Sequence, residues 1–120
     1  MISKLPASLI LEGGNLYDPF TDTSVKTSIL IKNGVIKQIG KMKPEKSAKV
    51  IDCTNKVITP GFIDLHAHFR EPGREDKETL ETGALAAMAG GFTTVCVMPN
   101  TDSPLDNPES IRYIIEKSAD

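Results

Sequence analysis

The 120-residue chain has no tryptophan, two tyrosines and four phenylalanines, and its only histidines are His66 and His68. Its two cysteines, Cys53 and Cys96, lie far apart and in no C-x-x-C pattern, which argues against a disulfide scaffold. A basic excess is also missing: 14 Lys plus Arg against 16 Asp plus Glu give a formal net charge of -2. That balance gives no support to binding of nucleic acid or of an anionic membrane surface. The longest apolar stretch, Gly83 to Phe92, is about half of the ~20 residues a membrane-spanning helix takes. The start, Met1-Ile2-Ser3-Lys4-Leu5-Pro6, has no basic segment followed by a sustained apolar core, so no secretory signal is read there. The expected compartment is the cytoplasm. With 39% hydrophobic and 25% charged residues, and neither an internal repeat nor a low-complexity tract, the composition is that of an ordinary soluble globular protein.

The first half reads as β. Leu9–Leu11, Ser28–Lys32, Val35–Ile39 and Val50–Cys53 are short and rich in Ile, Leu and Val. Turn residues separate them at Gly13-Gly14-Asn15, Asp18-Pro19, Asn33-Gly34 and Gly40. Asn33-Gly34 predicts a two-residue type I′ hairpin, because both positions of that turn need φ > 0 and these residues tolerate it best. A further turn is predicted at Thr54-Asn55-Lys56, and the lysine-rich Lys41–Lys49 reads as a solvated loop. The expectation is a small antiparallel β-layer carrying no catalytic group.

The second half changes period. Phe62-Ile63-Asp64-Leu65-His66-Ala67-His68 alternates strictly after Pro60-Gly61, and a polar loop, Arg70 to Asp76, follows. From Lys77 to Ala89 the pattern is helical: Leu80, Ala84 and Met88 share one face with Gly83 and Ala87, Asp76 is the expected N-cap, and Gly90-Gly91 ends the helix. Phe92 to Met98 reads as a buried strand. After the loop Pro99–Asp106, Asn107-Pro108-Glu109 supplies an N-cap, a proline in the first turn and an acidic residue, with Ile111, Ile114 and Ile115 as the apolar stripe. Strand, helix, strand, helix is the opening of a βα repeat with parallel strands.

The chemistry concentrates on one short strand. Residues i and i+2 of a strand point to the same face with Cα atoms about 6.6 Å apart, close enough for two imidazoles to converge on one divalent ion. By this alternation His66 and His68 share a face with Phe62 and Asp64, while Ile63, Leu65 and Ala67 face the following helix. The spacing alone suits metal binding and equally suits two histidines satisfied by ordinary hydrogen bonds. Their position at the C-terminal end of a parallel strand, where α/β structures gather functional groups, favours a site. Arg70 follows directly, and its planar fork is shaped for a carboxylate; a cation beside a metal site needs an anion to join them. Arg70 could instead pair with Glu71 or Glu75. Asn100, in Met98-Pro99-Asn100-Thr101 at the end of the next strand, offers both a donor and an acceptor to an anionic amide substrate, or serves as a plain turn residue.

Gly61-Phe62-Ile63-Asp64-Leu65-His66-Ala67-His68-Phe69-Arg70-Glu71-Pro72-Gly73 closely resembles the first metal-binding strand of dihydroorotases, in the cyclic amidohydrolase branch of the amidohydrolase superfamily. Glu75-Asp76-Lys77-Glu78-Thr79, Ala86-Ala87-Met88-Ala89-Gly90-Gly91-Phe92-Thr93-Thr94-Val95 and Met98-Pro99-Asn100-Thr101 are similar to the same family in order and spacing. The resemblance is specific from Pro60 to about Asp106 and loose before it. Hydantoinases and allantoinases share the H-x-H, but Arg at position 70 together with Pro-Asn-Thr after the second strand favours dihydroorotase.

The resemblance implies an α/β chain: a small antiparallel β-subdomain over residues 1–59, then over residues 60–120 the first two βα units of a metal-dependent (β/α)8 barrel, incomplete here. A whole barrel takes roughly 250 residues. The implied activity is the zinc-dependent, reversible cyclisation of N-carbamoyl-L-aspartate to dihydroorotate in pyrimidine biosynthesis. His66 and His68 would be ligands to one or two zinc ions, Arg70 and Asn100 would hold the substrate carboxylate, and Asp64 would steer a ligand from behind or pack beside the site. A bridging carboxylate, further histidines and a catalytic aspartate belong to later strands, so little or no activity is expected of this polypeptide alone. The implied partners are the remainder of the barrel or another chain, or a second copy of the protein. Two readings other than a working enzyme stay open: a split-barrel fragment completed by another polypeptide, and a catalytically silent relative serving as a structural partner, for instance of aspartate transcarbamoylase, with which some dihydroorotase-like proteins associate.

Overall fold

In a computed structural model describing residues 6–43 and 45–119, the chain divides between Pro60 and Gly61 into two units. Met1–Leu5, read above for a leader, lie outside the described residues, as do Pro44 and Asp120.

The first unit is one sheet of β1 (Ser8–Asp18), β2 (Thr23–Lys32), β3 (Val35–Ile39), β4 (Lys49–Asp52) and β5 (Val57–Ile58), ordered β3-β2-β1-β4 with β5 also paired to β1. The Asn33-Gly34 turn forms as expected: Lys32 pairs with Val35, and both turn residues have positive φ, 49° and 76°. The turn after β4 also forms, with Asn55 at φ 60° and the Lys56 N–H donating to Cys53 O at 2.9 Å. Two expectations are corrected. Gly13-Gly14 is no chain reversal, because β1 runs through it with one extra residue opposite β2. That bulge turns on Gly13 at φ 72°, whose N–H is taken by Ser28 Oγ at 3.0 Å. The sheet is also mixed rather than antiparallel, since β4 and β5 run parallel to β1. A hairpin reverses direction, whereas β4 lies on the side of β1 away from β2 and β3 and runs in the same sense as β1. Between β3 and β4 in the chain, Glu45 accepts from Ser8 Oγ at 2.9 Å and pairs with Lys32 at 2.9 Å.

The second unit is β6 (Phe62–Ala67), α1 (Leu80–Ala89), β7 (Phe92–Val97) and α2 (Pro108–Lys117), with β6 and β7 parallel. The helix α1 starts three residues later than the apolar period suggests. Asp76 is not its cap, because Arg74 holds that carboxylate through two bonds of 3.0 and 3.1 Å. Thr79 caps instead, its hydroxyl accepting from the Thr82 N–H while Thr82 Oγ accepts from the Thr79 N–H, at 3.1 and 3.0 Å. Only Leu80 and Gly83 are buried on α1, and Ala84 and Met88 of the expected face are exposed. Gly83 is required there, since a Cβ would stand 2.7 Å from the Phe69 ring. The Asn107 cap of α2 forms as expected, accepting from the Ser110 N–H at 2.9 Å. Its isoleucine stripe does not bury, however, and Ile111 and Ile115 remain exposed.

A carboxylate ties α2 down instead. Glu71 has no exposed surface. Its Oε2 accepts from the Leu80 N–H in the first turn of α1 at 2.8 Å; its Oε1 accepts from Tyr113 Oη at 2.8 Å and from Lys117 Nζ. Burial pushes this carboxyl up, but the bonds from Lys117, Leu80 and Tyr113 together outweigh it and hold Glu71 below the usual glutamate range. Lys117 is correspondingly raised. A carboxyl depressed on folding stabilises above its unfolded pKa and loses that contribution as pH falls through its folded value. Thermal melts of the chain are therefore expected to weaken on acidification from the usual carboxylate range downward, and Glu71→Gln to flatten that dependence. Glu71→Ala is expected to cost about 3 kcal/mol at neutral pH, read by urea unfolding.

Candidate functional site

Strict alternation fails at the chemically interesting end of β6. Asp64 pairs with Val95 and Ala67 with Val97, so three steps on β6 face two on β7. Asp64 causes this locally: its Oδ1 accepts the backbone N–H of His66 at 2.9 Å, taking that donor out of the ladder. Asp64 and Ala67 consequently line one concavity of about 210 Å³ with Gly83, Ala86 and Ala87 of α1. Ile63 and Leu65, expected to face the helix, are 61% and 72% exposed. Alternation separates two faces, but it does not say which face a helix of small residues covers.

The bulge leaves His66 and His68 converging. Their ring centroids lie 5.0 Å apart at 67°, and their Nε2 atoms 3.1 Å apart. Two nitrogens bound to one tetrahedral zinc at about 2.0–2.1 Å stand about 3.3 Å apart, so the donor pair fits one ion with a small adjustment. Among the described residues no group of three His, Cys, Asp or Glu joins at this point.

Asn100 reaches the pair from the neighbouring strand. The Met98 N–H donates to Ala67 O at 2.9 Å, keeping the ends of β6 and β7 level, and Asn100 Oδ1 lies 2.8 Å from His68 Nδ1. Its loop is braced from within: the Leu105 N–H donates to Pro99 O at 3.0 Å, and the hydroxyl of buried Thr101 to Ser103 O at 2.7 Å. It is braced from outside by Gly73, at φ 100°, where any Cβ would run into the Asp102 carbonyl.

Arg70 is not drawn in. It is exposed, and among the described residues its guanidinium makes no hydrogen bond or ion pair. The two acids that might have neutralised it are engaged elsewhere, Glu71 as described and Glu75 by the Gly73 N–H at 2.9 Å. Glu71, Tyr113 and Lys117 were missed in the sequence. The one available signal was the i, i+4 spacing of Tyr113 and Lys117 on α2.

Comparison with known proteins gives a consistent picture. A dihydro-orotase-like family model matches residues 55–119, more than half the chain. The dihydroorotase of Aquifex aeolicus is 44% identical over 110 residues, covering 92% of this chain and 26% of the relative. That of a Sulfurihydrogenibium species is 46% identical over 110 residues, with 91% and 26% covered. The chain thus spans about a quarter of the length of the curated relatives it matches. Among solved structures, an L-hydantoinase (dihydropyrimidinase) from Arthrobacter aurescens superposes with a TM-score of 0.80 at 25% identity, covering 92% of this chain and 24% of that one. A D-hydantoinase from a Thermus species gives 0.74 at 32%, with the same coverage.

The Asp64 bond to the His66 amide has a direct readout. Asp64→Ala is expected to speed hydrogen exchange at the His66 amide at least tenfold, about 1.4 kcal/mol of local protection, and to leave exchange in α2 unchanged. Unaltered exchange at His66 would remove Asp64 from the site.

Proposed function

The chain belongs to the dihydroorotase-like family, and on that footing we propose that it is the N-terminal portion of a zinc-dependent dihydroorotase working in cytoplasmic pyrimidine biosynthesis. The reaction closes N-carbamoyl-L-aspartate to dihydroorotate: the carbamoyl nitrogen joins the side-chain carboxyl, water leaves, and the α-carboxylate stays free. The observation that carries this reading is the 3.1 Å approach of His66 Nε2 and His68 Nε2 at the end of a parallel strand, with an amide against one of them. The two imidazoles would hold the ion. What zinc supplies when bound is Lewis acidity, toward a water and toward the ring carbonyl.

The remaining residues act by binding and orientation. Arg70, exposed and uncommitted, is free to fork onto a carboxylate arriving beside the histidines. Asn100, its oxygen turned to His68, has its NH₂ left to donate to the same carboxylate. Arg70 together with Pro99-Asn100-Thr101 separates this reading from a hydantoinase or allantoinase. The general base and the further metal ligands belong to strands beyond this chain. The exposed Ile63 and Leu65 on a two-stranded sheet support completion by such strands, from the same polypeptide or from a partner. Aspartate transcarbamoylase is the partner the family reading suggests.

Calorimetric titration of the metal-free chain with zinc tests the site. His66→Gln and His68→Gln are each expected to weaken binding by more than the roughly 10–100-fold that loss of an outer hydrogen-bond partner costs. The zinc-loaded chain is expected to turn over N-carbamoyl-L-aspartate little or not at all, since two protein ligands fall short of the three usual for catalytic zinc. Sustained steady-state turnover would refute that division of labour.

A further inference from the structure

We propose that Asn100 is a positioning residue for His68, its carbonyl oxygen locking the ring as the Nδ1–H tautomer so that the Nε2 lone pair is aimed where His66 Nε2 also points. The inference rests on reading the two histidines as metal ligands, and gives Asn100 a task separate from holding substrate.

The argument is one of proton counting. A carboxamide oxygen carries lone pairs and no proton, so its 2.8 Å contact with His68 Nδ1 requires the hydrogen to sit on that nitrogen. A neutral imidazole has one N–H, so His68 Nε2 is the acceptor. The 3.1 Å contact between the two Nε2 atoms then requires His66 to be the donor, with its hydrogen on Nε2. The metal-free chain therefore holds its two histidines in opposite tautomers. His68 is preset for an ion. His66 is not: its Nε2 proton must leave to water while a solvent proton arrives at Nδ1, with no net release. Among the described residues nothing bonds His66 Nδ1, so the ring is free to make that exchange. If the amide were turned around, its NH₂ would donate to His68 Nδ1, His68 would carry its hydrogen on Nε2, and His66 would have to accept there as the Nδ1–H tautomer, so the preset lone pair would pass from His68 to His66. The level strand ends and the braced loop Pro99–Leu105 hold the backbone that carries this amide beside His68.

Two variants separate this task from substrate binding. Asn100→Leu keeps the size and removes the acceptor; Asn100→Asp keeps an acceptor and repels a carboxylate. Histidine ¹⁵N spectra of the metal-free chain, which distinguish the two neutral tautomers from the imidazolium directly, are expected to show Nδ1–H at His68 and Nε2–H at His66. In Asn100→Leu, His68 is expected to relax to the mixed tautomers of a free imidazole, with zinc affinity falling roughly 10–100-fold; Asn100→Asp is expected to restore both. N-carbamoyl-L-aspartate binding to the zinc-loaded chain is expected to weaken in Asn100→Asp even so. An Nε2–H signal at His68 in the native chain, or an Asn100→Leu chain with native tautomers and native zinc affinity, overturns the proposal. A native chain that binds zinc no better than His66→Gln overturns the metal reading instead, and the tautomer spectrum still decides what Asn100 does.

Discussion

Glu71 is fully enclosed and yet held as an anion, because an ammonium, a phenol and the first N–H of a helix converge on its two oxygens. A buried charge is tolerable only when it is paired and its lone pairs are met, and here both conditions hold. The consequence is architectural. The second unit buries few apolar side chains, Leu80 and Leu105 chief among them, and Ile111 and Ile115 of α2 stay exposed. Polar convergence on one residue does what an apolar seam would do in a larger core. It fixes the start of α1, the position of α2, and the stretch of loop between Arg70 and Gly73 that leads out of the strand bearing the histidines.

Within that frame the candidate site is assembled from small departures from regularity. One carboxylate diverts one ladder hydrogen bond, and the resulting bulge turns a regular strand end into a place where two rings meet. One glycine at positive φ lets two loops touch, and the second loop brings an amide to the outer nitrogen of one ring. None of these contacts is strong alone. Their value lies in restricting rotamers and tautomers before any ligand arrives, which lowers the cost of binding it. The chain belongs to the dihydroorotase-like family and spans about a quarter of the length of its curated relatives, which is the footing of the proposal that further ligands come from other strands.

Much of the local structure was legible in the residues. The Asn33-Gly34 hairpin, the Asn107 cap of α2 and the strand-helix-strand-helix order of the second half all follow from backbone preferences acting over a few positions. The failures have a common cause. Asp76 is a good cap by type, but Arg74 competes for the same carboxylate. Gly13-Gly14 is a good turn by type, but β2 offers it a bulge. The stripe of α2 is a good core face by period, but among the described residues its Ile111 and Ile115 stay exposed.

By itself, the sequence determined where the chain bends and starts helices, that two histidines two residues apart end a strand, and which family carries that pattern. These are properties of short stretches, set by φ preferences, side-chain reach and spacing. Only the tertiary structure decided which face of β6 the helix covers, that β4 and β5 run parallel to β1, that Glu71 joins the start of α1 to α2, and that Asn100 turns its oxygen to His68 while Arg70 stays uncommitted. Each of those depends on a partner tens of residues away, and the choice among several chemically adequate partners is made by packing, which no local pattern records.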